Sequence, residues 1–190
     1  EGIKFNNAYT SQAICSPSRS QLFTGLYPIK NGCMANHLPV KNVKEINGLL
    51  QPLGYEVILA GKGHIYPSKK FKWSKFLGKE KSRQIPLIKV EDYIKNTNKP
   101  YCIIFSSDYP HGPYPKKTPY LDMNLSHDPT TPGGKGQNSS FKAGYYQNIK
   151  DNNIQLEKTI SMLSRLNVLD NGVFFYSVSY THLTLPTRAV

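Results

Sequence analysis

With 190 residues, 38% of them hydrophobic and 12% aromatic, the chain is long enough to bury one sizeable core, and no run nears the roughly 18 to 20 apolar residues of a spanning helix. Twenty-four Lys and Arg against twelve Asp and Glu give a net charge of +12, which favours an anionic partner such as nucleic acid, an acidic surface or a polyanionic substrate without choosing among them. Three cysteines, Cys15, Cys33 and Cys102, without C-x-x-C spacing, disfavour both a zinc site and a dense disulfide framework.

In chain order, Glu1-Gly2-Ile3-Lys4-Phe5 has neither an initiator Met nor a basic-then-apolar leader pattern and reads as the interior of a domain, so a signal segment could precede it. Pro17 to Gly25 reads as a short helix with Ser16 as N-cap, Pro17 at the first helical position and Gly25 as the stop, which puts Cys15 just before a helix N-terminus. Lys44 to Leu53 carries Ile46, Leu49, Leu50 and Leu53 at the spacing of one buried helical face, broken by Gly54. Glu56 to Ala60 and Tyr101 to Phe105 are short apolar runs that suit buried parallel strands, each followed by polar loop residues, where open α/β sheets place their sites.

The basic residues are dispersed, and their local concentrations at Lys69-Lys70-Phe71-Lys72 and Lys79-Glu80-Lys81 read as a solvated face before a functional patch. Pro110 to Gly136 is crowded with proline and glycine and reads as an irregular surface loop. Phe141 to Leu166 is the longest helical candidate, with Ile149, Ile154, Leu156, Ile160, Leu163 and Leu166 as its apolar stripe, and Val173 to Ser177 reads as another buried strand. With no internal repeat or low-complexity tract, the alternation of helix and strand predicts an α/β sandwich with a largely parallel central sheet flanked by helices.

Three constellations carry chemistry. Cys15-Ser16-Pro17-Ser18-Arg19, running on to Thr24-Gly25-Leu26-Tyr27-Pro28, resembles the type I sulfatase signature, C-x-P-S-R followed by a T-G-x-x-P turn; taken alone, the segment would be a buried cysteine at a helix start. Gly61-Lys62-Gly63-His64, after the first strand, resembles the family's G-K-x-H segment, and alone would be a solvated turn. Asp108-Tyr109-Pro110-His111-Gly112-Pro113-Tyr114 resembles its P-H-x-P segment, and alone would be a loop histidine held by prolines. His37 sits where some polysaccharide-directed members carry a histidine near substrate, and reads equally as a surface histidine. His127 and His182 match no motif.

The resemblance implies the alkaline-phosphatase-like fold and a defined division of labour. Cys15 would be oxidised by a formylglycine-generating enzyme to formylglycine, whose hydrated aldehyde is the nucleophile. One hydroxyl takes the sulfate and the other expels it, so no water need attack a hindered sulfur. Arg19, one turn along the helix, would add a fixed cation beside the helix N-terminus, Lys62 would bind the sulfate, and His64 would bind or orient the nucleophile's hydroxyl. His111 would bind substrate and protonate the leaving oxygen, a task suited to a group titrating near neutral pH.

Family members hold a divalent cation, usually Ca2+ with Mg2+ as the alternative, between the modified cysteine and carboxylates from two other strands. One pair of aspartates would lie before Glu1, and the Asp-His or Asp-Asn pair would follow the strand matching Val173 to Ser177, where this chain has Val178-Ser179. The resemblance therefore covers 1–177 as a partial catalytic domain, incomplete at both ends, with 178–190 read as a non-native tail, and the 190 residues alone are expected to be inactive. The implied enzyme is a secreted, periplasmic or lysosomal hydrolase of sulfate esters or sulfamates. Its substrate would be a sulfated glycan or small sulfate ester, in the manner of heparan N-sulfatases and other polysaccharide sulfatases, with no specific nucleic-acid partner. A phosphonate or phosphodiester hydrolase of the same superfamily and a non-catalytic polyanion-binding domain that keeps Cys15 as a thiol are the alternatives.

Overall fold

The computed structural model of the chain describes residues 2–121, 123 and 139–178, and these fall into two compact units. The first comprises residues 2–55, 64–72 and 176–178. Its leading element is α1, Cys15–Thr24, followed by α2, Pro28–Asn31, and α3, Ile46–Leu50.

Helix α1 starts two residues earlier than the proline suggested. Ile14, in extended conformation, is the capping residue, and the Ser18 N–H donates to its carbonyl at 3.0 Å to close the first turn. Ser16 is thus inside the helix and caps nothing; its hydroxyl donates to the His64 carbonyl at 3.1 Å and its N–H to Asn36 Oδ1 at 2.9 Å. Pro17 still fits because the first-turn N–H groups have no intrahelical acceptor to lose. Gly25 ends the helix as expected, in the left-handed region at φ 67°, with its N–H on Gln21 O at 2.8 Å.

Behind α1 the packing is part polar. The buried Asn31 amide donates to Ser20 Oγ at 3.0 Å, Thr24 Oγ1 at 3.2 Å and the Leu26 carbonyl at 3.0 Å, its two hydrogens shared among these acceptors, while its own oxygen accepts from Cys33 N at 2.9 Å, which fastens the T-G-x-x-P turn. Phe23 and Phe71 meet edge to face at 6.0 Å, and Cys33, Val40 and Ile65 are buried in the same unit. Helix α3 is shorter than Lys44 to Leu53: Glu45 caps it by accepting from Asn47 N and Gly48 N, and Pro52 lies in a terminal 3-10 turn, Gln51–Leu53. The expected apolar face is not buried, since Leu49 is 51% and Leu53 70% exposed while Asn47 is fully buried. A five-residue helix is too short to carry a stripe of four apolar positions, and it turns Asn47 inward instead.

The second unit comprises residues 56–63, 73–121, 123 and 139–175. It holds β1, Glu56–Gly61, β2, Lys75–Gly78, α4, Leu87–Asn96, β3, Tyr101–Ser106, and α5, Ser139–Arg165. The strands form a parallel sheet in the order β2-β1-β3, so β1 is central and its Val57 to Ala60 are buried, as the apolar run predicts. Ala60 packs with Ile85, Val90, Met162 and Leu163, which lie before α4, in α4 and in α5. The parallel sheet and flanking helices agree with the expected fold class.

Three differences matter. Strand β2 and helix α4 were not anticipated, because Lys75–Gly78 is short and half exposed and α4 buries only Val90 and Tyr93 fully. Val173 to Ser177 is not a strand: Val173 is 81% and Phe175 82% exposed, and no described strand pairs with the segment, so its backbone groups have no ladder to join. Helix α5 matches its expected span, but Ile154 and Ile160 face outward, and the buried side carries Asn148, Gln155 and Thr159 before Met162 and Leu163. That polar face is satisfied: Gln155 accepts from Ile85 N at 2.6 Å and donates to Ser107 Oγ at 2.8 Å. Of the loop read over Pro110 to Gly136, residues 110–121 and 123 carry no helix or strand; the rest of it, His127, His182 and the tail beyond Val178 lie outside the described residues.

Candidate active site

Within the first unit, Cys15 is the first residue of α1 and is buried. At this helix start the Ser16 N–H is already given to Asn36 and Pro17 has none, so what the helix offers an anion near Cys15 is the positive end of its dipole. Arg19, one turn on, is also buried, with its guanidinium 5.4 Å from the centroid of the Phe23 ring. An aromatic face attracts such a cation and helps to fix its position.

His37 and His64 join this end of the helix through two of the hydrogen bonds of Ser16. Its hydroxyl holds the His64 carbonyl, and its N–H holds Asn36, next in sequence to His37. The two imidazoles lie 5.7 Å apart between centroids, and Tyr66 completes the group at 5.1 Å from His37 and 6.1 Å from His64. Both histidines have left-handed backbones, φ 70° and φ 55°, a conformation that costs on the order of 1 kcal/mol or more and persists where the surroundings impose it. The structure thus brings Cys15, Arg19, His37 and His64 into one unit.

Lys62 and His111 belong to the other unit. Strands β1 and β3 are in register to their ends, Gly61 opposite Ser106, so the residues that follow leave the same edge of the sheet side by side. Gly61 is required at that exit: its φ is 108°, and a Cβ there would lie 2.1 Å from the Ser106 carbonyl oxygen. Lys62 N donates to that same oxygen at 2.9 Å, and Lys62 Nζ reaches Asp108 Oδ1 at 3.2 Å.

Asp108 is buried and collects two more cations, Lys79 Nζ at 2.8 Å and Arg83 Nε at 3.1 Å, both on Oδ2. Burial is the largest single influence on its carboxyl group and would raise its pKa, but the hydrogen bonds from Lys79 and Arg83 together with the charge of Lys62 outweigh it and hold the group well below the usual carboxylate range. Three cations on one anion leave the cluster with surplus positive charge at the mouth of the sheet.

His111 is exposed at the tip of the following loop. Its Nδ1 lies 2.8 Å from the Gly112 carbonyl oxygen, which can only accept, so Nδ1 carries a proton and Nε2 is the nitrogen left for chemistry. Its backbone is pinned at the N–H by the Asp108 carbonyl, 3.1 Å, and at the carbonyl by Asn148 of α5, 3.0 Å.

A family model of the sulfatases matches residues 1–178. The chain belongs to the sulfatase family. It is 39% identical over 188 residues to an ulvan-active sulfatase of Formosa agariphila, an alignment covering 95% of this chain and 38% of that protein. An N-acetylglucosamine-6-O-sulfatase of Bacteroides thetaiotaomicron is 28% identical over 143 residues, 58% of this chain and 25% of that one. Among solved structures, a protein in complex with its substrate D-glucosamine-2-N,6-O-disulfate shares the fold at a TM-score of 0.54 and 20% identity, over 69% of this chain and 33% of the other. The chain thus spans well under half the length of these relatives.

The divalent cation that the family resemblance implies does not fit the described residues taken alone. Among them no three His, Cys, Asp or Glu side chains gather to hold a metal ion, whereas calcium takes roughly six to eight oxygen ligands. Asp108, the carboxylate nearest Lys62, is already enclosed by cations, which would repel another.

Several residues of the site escaped the sequence. Asp108 was visible only as the start of a loop motif, and Lys79 lies in a charged run that read as a solvated face, yet both belong to the Lys62 cluster, as does Arg83. A carboxylate two residues past a strand, at the edge where sites form, was the available signal for Asp108. Nothing local marked Arg83, Asn36 or Asn148.

Proposed function

We propose that this chain supplies the nucleophile, sulfate-binding and acid residues of a sulfatase that hydrolyses sulfate esters or sulfamates of a sulfated glycan, with formylglycine made from Cys15. The observation that carries the reading is the placement of Cys15: buried as the first residue of a helix, with a buried Arg19 one turn away and His64 tied to the same turn through Ser16. The aldehyde hydrate at position 15 would provide both the attacking hydroxyl and the one that later expels sulfate. Arg19 holds positive charge beside that hydroxyl, and His64 orients it. Lys62, its ammonium held in place by Asp108, binds the transferring sulfate. His111 as imidazolium keeps Nδ1–H on the Gly112 carbonyl and gives the Nε2 proton to the leaving oxygen.

The substrate class is supported by the relatives, whose names specify ulvan and N-acetylglucosamine-6-sulfate chemistry, and by the +12 charge, which attracts polyanions. His37, packed on His64 and Tyr66, is the residue proposed to contact the sugar. Such substrates suit a secreted, periplasmic or lysosomal enzyme, and no helix among the described residues is long and apolar enough to cross a membrane. The cation, Ca2+ or Mg2+, would draw on ligands besides the described ones, and the 190 residues by themselves are proposed to be inactive.

The test is peptide mass spectrometry over Cys15 in the full-length protein produced with a formylglycine-generating enzyme, alongside turnover of ulvan, heparan, an aryl sulfate and an aryl phosphodiester. The aldehyde in place of the thiol, with sulfate release exceeding phosphodiester cleavage, is the expected result. Intact cysteine in an active preparation would remove the mechanism, and preferred phosphodiester cleavage would move the chain to the phosphodiester hydrolases.

A further inference from the structure

Arg83 occupies a position that the sulfatase motifs leave unassigned. Its Nε donates to the Asp108 carboxylate at 3.1 Å, and its two terminal nitrogens donate to four carbonyls of the His111 loop, those of Asp108 at 3.3 Å, His111 at 2.6 Å, Gly112 at 3.0 Å and Pro113 at 2.9 Å. The guanidinium also stacks 5.1 Å from the centroid of the Tyr109 ring. One side chain therefore gathers most of the carbonyls of a loop whose prolines at 110 and 113 have no N–H with which to build a turn of their own.

The Gly112 carbonyl is the acceptor that holds His111 Nδ1–H, so the group fixing the imidazole's orientation is itself fixed by Arg83. Only a planar fork with several donors can do this; a lysine ammonium in the same place would satisfy Asp108 and at most part of the fan.

We propose that Arg83 is a positioning residue for the leaving-group acid: by holding the His111 loop it sets the direction in which His111 Nε2 delivers its proton. The inference rests on the proposed role of His111. Arg83 touches neither nucleophile nor substrate in this scheme, so its removal acts through His111 and acts most where protonation matters most.

The experiment compares the full-length, formylglycine-bearing enzyme with its Arg83→Gln, Arg83→Lys and His111→Ala variants on two sulfates, an activated aryl sulfate whose phenolate leaves without help and an alkyl or sugar sulfate that needs a proton. For Arg83→Gln the expected result is a fall in kcat of about 10²-fold on the sugar sulfate and less than about tenfold on the aryl sulfate, the scale of general acid catalysis. The alkaline limb of the kcat profile should also be flattened. Arg83→Lys, which keeps the charge beside Asp108, should show the same substrate split in milder form and covers the case that the glutamine variant does not fold.

Equal losses on both substrates, or no loss in either Arg83 variant while His111→Ala shows the split, would overturn the positioning role and leave His111 as the acid. Absence of the split in His111→Ala itself would instead overturn the role of His111, and the inference with it.

Discussion

Lys62 and Asp108 form an ion pair at 3.2 Å because the strands that carry them end in the same register, and Asp108 is shared with Lys79 and Arg83. A carboxylate two residues past β3 thus holds the lysine that follows β1, the one proposed to bind sulfate, so that the ammonium need not be ordered anew when an anion arrives. The following expectations concern the full-length protein.

Removing the negative charge should release three cations against one another. Asp108→Asn is expected to destabilise the protein by about 2–4 kcal/mol, the scale of breaking a buried charge network by one partner, as read from denaturant midpoints at pH 7. The pH dependence has a defined sign. Because the folded-state pKa of Asp108 lies below the unfolded value of about 3.9, its contribution is complete above pH 4 to 5 and is lost as pH falls toward the folded value. The wild type should therefore lose stability below about pH 4 more steeply than Asp108→Asn, and parallel curves would show that the cluster contributes nothing.

A serine at position 15 retains one hydroxyl and lacks the second. Cys15→Ser is expected to accept sulfate once and stop, leaving an adduct on the α1 peptide visible by intact and peptide mass, with steady-state turnover lost by a factor on the order of 10³ or more. Cys15→Ala should show neither adduct nor turnover. Unmodified Cys15→Ser after incubation with substrate would argue that the residue is not the nucleophile.

Gly61 has no room for a side chain. Gly61→Ala would place a methyl 2.1 Å from the Ser106 carbonyl oxygen on a backbone of φ 108°, so the exit of β1 must move. The expected cost is about 2–4 kcal/mol, on the scale of a strained backbone with a steric clash. Sulfate affinity should fall as well, since Lys62 follows directly. A variant with wild-type melting temperature and KM would contradict the assigned geometry.

His37 packs on His64 and Tyr66 and is proposed to meet the sugar without taking part in bond breaking. His37→Ala is expected to raise KM for the glycan about tenfold, about 1.4 kcal/mol of binding, with kcat changed little. On a small aryl sulfate the variant should match the wild type. A loss in kcat on both substrates would place His37 among the groups acting on the nucleophile.

The family was legible in the chain because its chemistry is concentrated in short contiguous runs. Cys15 to Arg19 lie on one turn, Gly61 to His64 span one strand exit, and the strands Glu56–Gly61 and Tyr101–Ser106 show as apolar runs that suit a parallel sheet, although the second of them is mostly half-buried. The terminating Gly25 and the long α5 were readable for the same reason, as local backbone preference and length.

Tertiary packing decided the rest. Which face of α5 is buried could not be read from its isoleucines, because the sheet loops present polar groups that Asn148 and Gln155 satisfy. The α1 start moved two residues ahead of Pro17 because Ser16 found the His64 carbonyl, 48 positions away, in place of a capping role. Val173 to Ser177 has strand composition, yet no described strand pairs with it. The cations of Lys79 and Arg83 became site residues only when folding set Asp108 beside them, 29 and 25 positions along the chain. Sequence alone determined which chemical groups this protein brings, since motif and periodicity are local properties of the chain. Structure decided which of those groups hold one another in place, because a hydrogen bond or ion pair depends on distance in space, which the spacing of residues along the chain does not specify.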